Sequence, residues 1–100
     1  MDDRTRGIYD AQAKLRDGAY VRVMPPALYG EETPRYWQIL EDEFGIEHIV
    51  RVGDSDEYYA GFASVMSPEI DKHFDKEFFD HVHARAIAEF KEEHGRLPGI

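Results

Sequence analysis

Glycine and proline cut this chain of 100 residues into short pieces. Gly18, Pro25-Pro26, Gly45, Gly53 and Gly95 each fall where a hydrophobic period ends. Glycine accepts the left-handed conformation that closes a helix, and proline has no N–H to give a strand ladder. The apolar runs between these breaks are too short to cross a bilayer. The pieces must therefore bury their apolar faces against one another. A chain of this length builds one core rather than two, so residues 1–100 are read as a single domain.

The periodicities inside the pieces assign the elements. Ile8, Ala11, Gln12 and Leu15 share one helical face over residues 5–17, with Asp2 and Asp3 ahead and Gly18 behind. Ala19 to Met24 alternates as a strand until Pro25 and Pro26 stop it. Thr33-Pro34 starts a helix in which Tyr36, Trp37, Leu40 and Phe44 form one arc, and Gly45 ends it. Residues 46–52 read as a strand, with Ile46, His48, Val50 and Val52 on one face and Glu47, Ile49 and Arg51 on the other. Gly53 to Glu57 has turn composition, and Tyr58 to Met66 is rich in β-formers. These two runs are expected to form a hairpin, with Gly61 at a bulge. Ser67-Pro68-Glu69 repeats the cap-then-proline signature. It predicts a short helix to about Phe74, then a longer one from about Asp75 to His94 whose apolar face includes Phe78, Phe79, Val82, Ala86, Ile87 and Phe90. The expected order is helix-strand-helix-strand-strand-helix. The expected class is α+β, with an about three-stranded, partly antiparallel sheet packed by helices.

Charge narrows the partners. Asp and Glu number 21 against 12 Lys and Arg, a formal net charge of -9, and residues 31–60 alone carry -7. That balance disfavours nucleic acid and anionic lipid. The absence of cysteine excludes disulfides, thiolate zinc sites, iron–sulfur clusters and a cysteine nucleophile, and it suits a reducing cytoplasm. No basic segment followed by an apolar one opens the chain, so no signal peptide is expected and the localisation is read as cytoplasmic. No G-x-x-x-x-G-K, G-x-G-x-x-G, H-E-x-x-H or G-x-S-x-G motif occurs, so the reading leans away from an enzyme and assigns no cofactor.

Two clusters remain as candidate sites. On one continuous helix His73, Glu77 and His81 would be successive i, i+4 neighbours, a set able to bind zinc or to do acid–base chemistry. A metal-dependent or His/carboxylate enzyme using that region is the alternative function. His83 sits between Phe79 and Ile87, and His48 sits among Ile46, Val50 and Val52, so both read as structural histidines. The second cluster is Asp54, Asp56 and Glu57 beside Tyr58 and Tyr59. It lacks the EF-hand offsets, so it reads as a solvated turn or as a binding edge. Tyrosines make interface hot spots, and carboxylates select a basic partner. These five residues are the expected binding site of a small acidic module that regulates or binds a protein partner, in particular a basic one. Self-association through the apolar face of the last helix is a further expectation.

Overall fold

The computed structural model describes residues 1–99. It contains four helices and two strands in the order α1 (Asp3–Arg16), β1 (Tyr20–Met24), α2 (Thr33–Phe44), β2 (Ile46–Val50), α3 (Asp56–His73) and α4 (Lys76–His94). The two strands pair in parallel, Tyr20 with Ile46 through Met24 with Val50. The expected three-stranded, partly antiparallel sheet is therefore corrected to a two-stranded parallel one, with no hairpin among the described residues. A parallel pair needs a crossover, and α2 supplies it.

The error lies at Tyr58 to Met66, which is helical. Ser55 is the N-cap of α3 and accepts from the Tyr58 amide at 3.1 Å. Asp56 and Glu57 occupy the first turn, where carboxylates suit the dipole. Tyr59, Phe62, Met66 and Ile70 are the buried face, at helical spacing. Ser67-Pro68 is not a helix start, because Pro68 lies inside α3. The Ser64 carbonyl thereby loses its intrahelical donor. The break expected near Asp75 does occur: Phe74 is extended, and Asp75 caps α4 by accepting from the Phe78 amide at 2.8 Å.

Pro68 is exposed and sits in a helix interior, so Pro68→Ala is expected to stabilise the protein. Restored hydrogen bonding outweighs the greater freedom of the unfolded chain by about 1 kcal/mol, or about 4–8 °C in Tm. A thermal melt by circular dichroism measures this. An unchanged or lower Tm would mean that α3 needs its proline.

α2 follows its sequence signals closely. Pro34 sits in the first turn, and Gly45 closes the helix at φ 69° with its N–H donating to the Glu41 carbonyl. Glu32 rather than Thr33 is the capping position.

Two helical pairs enclose the strands. α1 packs on α3 and α2 on α4. Ala11, Val21, Phe62, Met66 and Ile70 form one core cluster; Ile39, Leu40, Ile46, Val82 and Ala86 form the other. Strand alternation divides the faces: Val21, Val23 and Ile49 meet the α1–α3 layer, Ile46 meets the α2–α4 layer, and Tyr20 packs against both clusters. The apolar face of α4 is thus covered by α2 within the chain. The molecule measures 51 × 26 × 19 Å.

α1 and α3 meet through glycine. Gly7 and Gly61 are both buried. A Cβ on Gly7 would lie 2.8 Å from the Phe62 amide nitrogen, and one on Gly61 would lie 2.9 Å from the Arg4 carbonyl carbon. Each helix presses its backbone against the other at the one place where neither carries a side chain.

Candidate functional site

The five residues expected to form a binding edge lie together, at the start of α3 and against α1. Asp54 receives two hydrogen bonds from the Arg6 guanidinium, at 2.5 and 3.1 Å, which hold its carboxyl below the usual range. Glu57 lies 3.6 Å from Arg4. The Tyr58 hydroxyl donates to Asp10 at 2.6 Å, and Arg6 lies over its ring at 4.3 Å. Burial, and then the Asp10 hydrogen bond, push that phenol up to about 12. Tyr59 is only 7% exposed and donates to the Val52 carbonyl at 2.8 Å. Of these acids, Asp56 alone has no cation partner among the described residues. Asp54, Glu57 and Tyr58 are therefore engaged with α1, and a partner approaching them meets Arg4 and Arg6 already in place.

The rest of the acidic segment behaves differently. Glu41, Asp42 and Glu43 occupy the last turn of α2, which contains no basic residue. That end of a helix is negative, so each carboxylate there works against the macrodipole. Arg85 holds Glu43 at 2.7 and 2.9 Å. Glu41 and Asp42 are exposed, and no described cation bridges either one. Most cations elsewhere are committed: Arg4, Arg6, Lys14, Arg35, Lys72, Lys76, Arg85 and Arg96 each pair with a carboxylate.

The histidines divide into two groups. The helix break separates His73 from Glu77, and His73 rests on Tyr20 with ring centroids 5.6 Å apart. His81 and Glu77 lie 3.7 Å apart on the exposed side of α4. Among the described residues no three His, Asp or Glu side chains converge as a metal site. His48 and His83, by contrast, are linked through Arg22 and the Tyr36 ring. The register places Arg22 beside His48. Arg22 Nη1 lies 3.3 Å from His48 Nε2 and 3.4 Å from the Tyr36 hydroxyl. His83 packs on the Tyr36 ring at 4.9 Å, and its Nε2 meets Glu32 Oε1 at 2.7 Å. Trp37 stacks on His48, with the rings 4.8 Å apart and 7° from parallel. Burial, and then the Arg22 charge, lower the His48 pKa to about 3. The ring is thus neutral at pH 7, Nε2 accepts from Arg22, and the proton sits on Nδ1. That Nδ1 is buried without a hydrogen-bond partner.

Arg22 faces a cleft of about 480 Å³ at the carboxyl end of β1, between α3 and α4. Crevices outside the carboxyl ends of parallel strands are where open α/β sheets hold ligands. Sequence reasoning missed this centre. Arg22 and His48 are 26 positions apart, and only the strand register joins them. Comparison of the chain with protein-family models, curated proteins and solved structures finds no match, so the site is read from its own geometry. No described helix is long and apolar enough to cross a membrane.

Proposed function

We propose that this chain is a small acidic binding module of the cytoplasm that acts by contact with a basic protein partner. The observation that supports the reading is the last turn of α2. Three consecutive carboxylates stand against the helix dipole there, and two of them have no described cation. Such a turn lowers the stability of the free protein and gains from a cation brought by a partner. Lysine at these positions would suit the isolated fold better.

Glu41→Lys combined with Asp42→Lys is expected to raise stability by about 1 kcal/mol, or about 4–8 °C in Tm. The same variant is expected to lose partner capture in an affinity purification near physiological salt. Capture by the wild type should weaken as salt rises. Retrieval of no protein by the wild type, or equal retrieval by the variant, would overturn the reading.

A further inference from the structure

Arg22 carries a charge that the fold does not neutralise. It is half-buried, its guanidinium carbon lies 4.3 Å from the Phe79 ring centroid, and its hydrogen bonds run to neutral Tyr36 and neutral His48. No described carboxylate bridges it. Withdrawing a guanidinium partly from water without a counter-charge is unfavourable. Nη1 is anchored, while Nη2 and Nε have no described partner. That planar edge matches a carboxylate bidentately.

The lining of the same cleft also carries the complementary charge. Three aspartates line it, two of them already occupied. Asp75 caps α4, and Asp80 holds Lys76 at 2.8 Å. Asp71 is exposed and has no described cation. Arg22 and Asp71 therefore line one cleft without meeting each other within ion-pair distance. Ile70, Phe74 and Phe79 give the same cleft apolar lining, and Ser67 also borders it.

We infer that this cleft binds a small zwitterion with an apolar body, in class an α-amino acid with a large hydrophobic side chain. Its carboxylate takes the free edge of Arg22, its ammonium faces Asp71, and its side chain lies on Phe74 and Phe79. One molecule then satisfies two charges that the fold leaves apart, and it covers aromatic surface at the same time. A cleft that holds an unpaired cation together with carboxylates that have no described cation selects against simple anions and simple cations alike. The site is distinct from the acidic turn of α2.

Titration of the ¹⁵N-labelled protein with L-phenylalanine, followed by NMR, tests this directly. Saturable shifts are expected at Arg22, Ile70, Phe74 and Phe79. N-acetyl-L-phenylalanine and L-phenylalanine amide, each lacking one charge, should bind about tenfold more weakly or worse. Arg22→Gln should lose the site. Asp71→Asn, a change at an exposed helical position, should fold normally and weaken L-phenylalanine and its amide, which both carry the ammonium, about tenfold while leaving the acetylated probe nearly unchanged. Absence of saturable shifts in the wild type would overturn the inference. So would acetylated probe binding as tightly as the free amino acid, or loss of less than about threefold in Asp71→Asn.

Discussion

Gly61→Ala is expected to cost about 3 kcal/mol or more, or to unfold the protein outright. Gly7→Ala should do the same. Helix propensity argues the other way, because alanine in place of glycine favours an isolated helix by about 1 kcal/mol. The packing term decides the sign. The added methyl at Gly61 would enter the Arg4 carbonyl, and the one at Gly7 would enter the Tyr58 carbonyl and the Phe62 amide. These are backbone atoms within regular helices and cannot rotate aside. Relief requires α1 and α3 to separate, which opens the cluster around Ala11, Phe62 and Met66. Urea denaturation of each variant measures the loss. Gln12→Ala, at an exposed position of α1, is the control and should change stability by less than about 0.5 kcal/mol. Gly variants as stable as that control would mean that the two helices are free to move apart.

Acidification between pH 6.5 and 4.5 is expected to destabilise the protein through one side chain. His48 titrates near 3 in the fold, against an ordinary 6.5. The unfolded state therefore binds the proton first, and stability falls as pH drops through the interval between these values. The groups that face the ring are Arg22 from β1, which repels a proton, and Trp37 from α2, which stacks on it. The ring is not fully enclosed, so solvent screening reduces the effect to about 2–3 kcal/mol over the whole interval. Carboxylates contribute later. Asp54 and Glu43 are held low by Arg6 and Arg85, and their stabilisation is lost only as pH falls below the ordinary carboxylate range. The upper window thus isolates His48. Urea midpoints measured at pH 7, 6, 5 and 4.5 should fall for the wild type and stay nearly level for His48→Gln down to pH 5. Parallel slopes in the two proteins would place the sensitivity elsewhere.

The elements legible in the sequence are those whose determinants are local. Pro34 and Gly45 bracket α2 because each acts on the backbone at its own position. Asp75 marks the junction of α3 and α4 for the same reason: its carboxylate serves an amide three residues away. Tyr58 to Met66 was not legible in this way. Its aromatic and β-branched residues suit a strand, and they outweighed the Ser55 cap and the 3.6-residue period of Tyr59, Phe62, Met66 and Ile70. Gly61 is explained only by the α1 backbone, more than fifty residues earlier in the chain. The candidate binding residues Asp54, Asp56, Glu57, Tyr58 and Tyr59 were found as a cluster, but the engagement of Asp54, Glu57 and Tyr58 with Arg6, Arg4 and Asp10 required the helix pairing. The Arg22 centre required the strand register. In each case the missing information was a long-range contact, which composition and period do not carry.

The helix pairs interleave: α1 waits for α3, and α2 waits for α4. A ribosome that has released only the first fifty residues has delivered both strands and two helices, yet neither helix has its mate. The Gly7 surface can be closed only after Gly61 has emerged, and Leu40 can be covered only once Val82 and Ala86 have followed. Assembly is therefore a late, nearly simultaneous event, and no cut through the middle of the chain leaves a half able to stand alone.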